Sequence, residues 1–164
     1  MRLTSVTVAV GAVMLMASPA LAIEARFDFG KMAYGTHVAT LPRWAVSDTC
    51  GNPNQERFAD CVFFDRNGVE YTVFDGHVLK KRIEVGKISD WVPYGISPRD
   101  REPDVVRKLE RRLGVAFFKT GLSGDGAIYN SEPLKDPDYD GLIIDLTFDG
   151  GGKLIEIELT SDYV

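Results

Sequence analysis

Two turn signals constrain this chain more than any other feature: Asp65-Arg66-Asn67-Gly68 and Asp75-Gly76 cut Cys61 to Val85 into three short segments rich in aromatic and β-branched residues. Asn-Gly and Asp-Gly supply the positive φ angles that tight hairpins need, so this stretch is expected to form an antiparallel meander. A second hairpin is expected further on. There Leu142, Ile144, Leu146 and Phe148 fall on one side of a strand, and Asp149-Gly150 with Gly151 and Gly152 turns the chain. In the return strand Ile155, Ile157 and Leu159 are expected to point to the core and Glu156 and Glu158 to water.

The segments between are less regular. Ile23 to Phe29 alternates and reads as a first strand or extended arm, which Gly30 and Gly35 end. Thr36 is placed to cap a short helix from His37 to Leu41, stopped by Pro42. A longer helix is expected over Pro103 to Leu113, with Asp104 near its positive end, Arg111 and Arg112 near its negative end, and Gly114 just past it. Its buried stripe is Val105, Val106, Leu109 and Leu113, and Arg107, Lys108, Arg111 and Arg112 make a solvated basic face. Val115 to Thr120 reads as a strand, Gly121 to Gly126 as a loop, Ala127 to Tyr129 as a short strand, and Ser131 to Gly141 as a long polar loop.

Residues 1–22 carry one charge, Arg2, then an apolar run from Val6 to Met16 and the small residues Ala20 and Ala22. That is the pattern of a cleaved secretory signal, and the apolar run is too short for a spanning helix, so an exported, periplasmic or secreted chain without membrane insertion is expected. Without those residues the net charge is −6, from 18 Lys and Arg against 24 Asp and Glu. Such a balance disfavours nucleic acid as a partner and favours basic ones. The two cysteines, Cys50 and Cys61, both follow the signal, and in an oxidising compartment they are expected to form one disulfide around a loop rich in turn formers. A bridge of that span contributes roughly 3 kcal/mol in the chain-entropy model.

The expected architecture is α+β: an antiparallel sheet of two meander half-units, residues 23–88 and 89–164, with short helices packed on one face. Tyr34-Gly35-Thr36 precedes the first meander and Tyr94-Gly95-Ile96-Ser97 the second. With the helix Pro103 to Leu113, Gly114 and the strands ending LTFDGGGKLIEIEL, this order of elements resembles the β-lactamase inhibitor protein family and, more distantly, small outer-membrane assembly lipoproteins built on one such unit. The resemblance implies protein binding or inhibition through the open sheet face and its loops, and no catalysis. The chain departs from the family in having one cysteine pair rather than one in each half, and no inhibitory residue carries over.

For recognition the candidates are Tyr71, Phe74, Trp91 and Tyr94, aromatics on hairpins and connectors that serve either as core or as interface anchors, with Glu70 and Thr72 on the rim of an open face. For a metal the candidate is Asp136-Pro137-Asp138-Tyr139-Asp140-Gly141, in which Asp136, Asp138 and Asp140 match the opening of a calcium loop. Thr147 stands where that loop has a bidentate Glu, so an acidic turn is the competing reading and a calcium-stabilised envelope component the alternative function. No other cofactor is expected. Catalytic residues are not identified: His37 and His77 lie in no hydrolase or metal motif, and Gly121-Leu122-Ser123-Gly124 misses the spacing of a nucleophile elbow.

Overall fold

The computed structural model describes residues 26–37, 61–86, 92–135 and 141–161. Both expected hairpin regions form. Strands β1 (Cys61–Phe64), β2 (Glu70–Phe74) and β3 (His77–Glu84) are followed by helix α1 (Glu102–Leu113) and strands β4 (Phe117–Ser123), β5 (Gly126–Ser131), β6 (Leu142–Phe148) and β7 (Leu154–Ser161). All seven strands join one antiparallel sheet in the order β1-β2-β3-β7-β6-β5-β4. The two meanders therefore meet edge to edge through their last strands, β3 and β7.

Turn chemistry explains the hairpins. Asp75 and Gly76 both take positive φ, 46° and 75°, as a two-residue hairpin turn requires. The β1–β2 and β6–β7 turns share a different, longer design. In the first, Asp65 Oδ1 accepts the N–H groups of Asn67 at 2.8 Å and Val69 at 3.1 Å, while Gly68 N–H donates to the Asp65 carbonyl at 3.0 Å. In the second, Asp149 Oδ1 accepts from Gly151 at 3.0 Å and Lys153 at 2.8 Å, and Gly152 N–H donates to the Asp149 carbonyl at 2.9 Å. The positive φ falls on Gly68 and Gly152, so the second turn is set by Asp149 and Gly152 rather than by the Asp149-Gly150 dipeptide.

The fold class is a correction: the described chain is mainly β, with a single α-helix and a 3₁₀ turn at Pro93–Gly95, not α+β with several short helices on one face. The helix that does form follows the expected pattern except at Val106, which is only partly buried. Val105, Leu109 and Leu113 are buried, Glu102 and Asp104 occupy the first turn, and Gly114, in the left-handed region, donates to the Glu110 carbonyl at 2.9 Å. It is anchored to the second meander at both ends. Glu102 N–H donates to the Gly152 carbonyl, the Glu102 carboxylate accepts from Tyr129 on β5 at 2.7 Å, and Glu110 accepts the N–H of Phe117 on β4.

The inner face of the first meander is tied to the irregular segment 26–37. The Asp28 carboxylate accepts the backbone N–H groups of Phe29 and Tyr34, and Gly30 and Gly35 hold positive φ, which closes a loop no helix could follow. Residue 37 lies in an isolated bridge to His77 rather than at a helix start, and residues 38–41 of the expected helix fall outside the described chain. Arg26 to Phe29 is likewise not a strand, although Phe27 and Phe29 are both buried.

Lys81 fastens this cover. It sits at an inward position of β3, fully buried, and its ammonium donates to the Asp28 carboxylate and the Met32 carbonyl. The rings of Phe29 and Tyr71 lie 5.5 Å and 5.4 Å from it. Beside it the Tyr71 hydroxyl donates to Asp65 Oδ2 at 2.8 Å and accepts the Lys31 N–H at 2.7 Å. Burial pulls the Lys81 amine down from its ordinary value, and the Asp28 charge opposes that pull. A Cβ at Gly30 would lie 2.2 Å from the Tyr71 hydroxyl, so only glycine admits this network.

Two further expectations change. Gly121 to Ser123 continue β4 rather than entering a loop, and Gly126 already belongs to β5. Ile155 faces outward: a bulge between Thr147 and Phe148 pairs Phe148 with Leu154, so Leu154 takes the buried place and Ile155 is left 38% exposed.

Candidate functional site

Strand alternation leaves the opposite, outer face of the sheet with its own residue set. The register aligns Phe64, Glu70, Arg82, Glu158, Asp145, Asn130 and Phe118 in one row across all seven strands. A neighbouring row carries Glu84, Glu156, Thr147 and Ile128, and the row on the other side Val62, Thr72, Lys80, Thr160 and Ile143. In these rows the acids are Glu70, Glu84, Asp145, Glu156 and Glu158, against the cations Lys80 and Arg82. Acids are in excess in the middle of the face, and aromatic side chains stand at its margins.

Arg82 is the hub. Its guanidinium lies 2.5 Å from Glu84, 3.4 Å from Glu156 and 3.6 Å from Glu70, while Lys80 pairs with Glu158 at 2.8 Å. One guanidinium therefore serves three carboxylates. Burial pushes the Glu156 carboxyl up from its ordinary value; Arg82 opposes this, and the charges of Glu158 and Glu84 reinforce it. Asn130 donates its side-chain amide to Asp145 further along the row. Phe64, Gly68, Glu70, Arg82 and Glu84 line a recess of about 200 Å³ at the β1 end. Phe64 is 52% exposed there, Phe118 57% exposed at the β4 end, and Phe74 stands out beside the β2–β3 turn.

Of the aromatic candidates, only Phe74 is exposed among those described. Tyr71 is fully buried on the inner face, stacked on Phe63 at 5.0 Å, so it holds the cover and has no surface to offer a partner. Tyr94 is partly buried, its hydroxyl donating to the Phe27 carbonyl at 2.6 Å and its ring meeting Phe29 edge-on. Its phenol is pushed up by burial, with the Asp28 charge adding to the effect. Trp91, Asp136, Asp138, Asp140 and Cys50 lie outside the described residues. Cys61 is buried at the head of β1, and no free cysteine occurs among the described residues.

The acidic row was only half visible in the sequence. Glu70, Thr72, Asp145, Glu156 and Glu158 read as outward by alternation, but Arg82 and Glu84 join them only through the β2–β3 and β3–β7 registers. Among the described residues no group of three or more His, Cys, Asp or Glu could hold a metal ion, and no helix is long and apolar enough to cross a membrane. Comparison with protein-family models, curated proteins and solved structures finds no match to this chain.

Proposed function

We propose that this is an exported, non-catalytic binding protein that recognises or inhibits another protein through the outer face of its sheet, and that the partner presents a basic surface. The observation that carries the reading is the aligned outer row with the rows on either side of it, where five carboxylates meet two cations and exposed Phe64 and Phe118 stand at either end of the central row. Acidic excess on a broad face steers and orients a basic partner, and exposed aromatics at its margins supply apolar anchors. The chain's net negative charge acts in the same direction. Export and a Cys50–Cys61 bridge belong to the same proposal, as does the role implied by the resemblance to β-lactamase inhibitor proteins.

The test is capture from an envelope extract with the oxidised mature chain as bait, run beside the variant Glu84→Gln/Glu156→Gln/Glu158→Gln. A stoichiometric partner held by the wild-type face should bind at least about tenfold more weakly to the variant and should elute as salt rises. Equal capture by both baits, or capture indifferent to salt, sinks the proposal.

A further inference from the structure

The chain contains two histidines, and the fold brings them together. His37, at the end of the inner cover, lies opposite His77, the first residue of β3, in an isolated antiparallel bridge. The Gly35 N–H donates to the Val78 carbonyl at 2.7 Å and the Val78 N–H to the Thr36 carbonyl at 3.0 Å, which fixes the backbones on both sides. Directly opposed residues of an antiparallel pair project on the same side, and here the imidazole centroids are 4.8 Å apart with the rings 79° to one another.

His77 shows a second feature. Its Nδ1 lies 2.9 Å from the Asp75 carbonyl oxygen. A carbonyl can only accept, so that contact assigns a proton to Nδ1, and in the neutral ring Nε2 keeps its lone pair. A ring N–H bound to a backbone carbonyl is the arrangement that orients a metal-ligating histidine. Its geometry agrees. A metal about 2.0–2.1 Å from one nitrogen of each of two imidazoles, at angles between square and tetrahedral, holds their centroids roughly 5 Å apart.

We propose that His37 and His77 form a two-imidazole site for a divalent transition ion of borderline softness, Zn²⁺ or Cu²⁺, with water completing the coordination. Imidazole nitrogen selects such ions over Mg²⁺ and Ca²⁺, which take oxygen ligands. His77 is exposed and His37 half-buried, so an ion can reach the pair from solvent. Bound there, it clips the end of the 26–37 cover onto the β2–β3 hairpin and stabilises the folded state by linkage. The site lies at the turn end of β3, where His77 pairs with Phe74 beyond the Lys80 row, and uses none of the carboxylates of that proposal.

The experiment is calorimetric titration of the mature chain with ZnCl₂ at neutral pH, with MgCl₂ as the control and His37→Phe and His77→Phe as variants that keep ring packing. One Zn²⁺ per chain is expected, with affinity at least about tenfold lower in either variant and no response to Mg²⁺. Cu²⁺ bound to the wild type should show nitrogen hyperfine structure in its electron paramagnetic resonance spectrum, lost in the double variant. Zn²⁺ binding that is equally tight in wild type and His77→Phe, or no uptake by the wild type, overturns the proposal and leaves the pair as edge-to-face packing.

Discussion

The inner face of β1–β3 and that of β4–β7 are closed by opposite chemistry. The first is tied to an irregular segment by Lys81 with Asp28 and by the Tyr71 hydroxyl, which accepts the Lys31 N–H; the second is anchored to a helix that buries Val105, Leu109 and Leu113. Apolar packing is non-directional and tolerates small shifts, whereas a buried ammonium must keep its partners in place. The first half thus gains a directional lock at the risk of a large loss when one member is removed. The second half is held by area.

Lys81→Met should be the most damaging way to break that contrast, since it leaves Asp28 without its counter-ion. A loss of about 3–5 kcal/mol in urea unfolding is expected. Hydrogen exchange at the amides of residues 28–35 should rise while α1 stays protected. Adding Asp28→Asn to Lys81→Met should recover much of the loss; a double variant as unstable as the single one would show that the ion pair is not what fastens the cover.

In the other half Leu109→Ala opens a cavity under α1, for which a cost of about 2–5 kcal/mol is expected. No change in charge-dependent behaviour should accompany it, so its stability loss should be the same at low and high salt. A salt-dependent loss would mean that α1 too is held electrostatically.

Tyr71→Phe sharpens the comparison at smaller scale. The ring still stacks on Phe63, but Asp65 Oδ2 loses its donor and Lys31 N–H its acceptor, an expected cost of about 1–3 kcal/mol. A variant as stable as wild type would assign the cover to apolar packing alone.

The smallest effect belongs to the outer face. The Glu156 carboxyl is pushed up in the folded chain, so its contribution to stability is full below the ordinary carboxylate range and is lost as pH rises through the raised value. Glu156→Gln should therefore raise the melting temperature by about 1–2 °C at pH 7 and leave it unchanged at acidic pH. A fall at pH 7 would mean that Arg82 outweighs the burial of Glu156.

These contrasts also show where reading the chain succeeds. The β6 residues Leu142, Ile144, Leu146 and Phe148 are all buried as their alternation implies, and α1 ends at Gly114 as its cap implies. Each of those signals lies within one element. Nothing local marks Lys81 as buried, which follows only from Asp28 being brought onto it, and Ile155 reads as core until the bulge moves it outward. Phe74 could be picked out by its place beside a turn, but nothing local separates it from Tyr71, whose phenol is buried by a segment far away in the chain.

By itself the sequence determined the hairpins, the helix with its stop, and the alternation that gives the sheet an apolar and a charged side. These follow from φ preferences and from side-chain period, which neighbouring residues set among themselves. The tertiary structure alone decided the β3–β7 seam, the acidic row across seven strands, the ionic lock under β3 and the meeting of His37 with His77. Each depends on register or on contact between distant segments. Register is chosen by the burial of the whole inner face at once, and no local pattern encodes it.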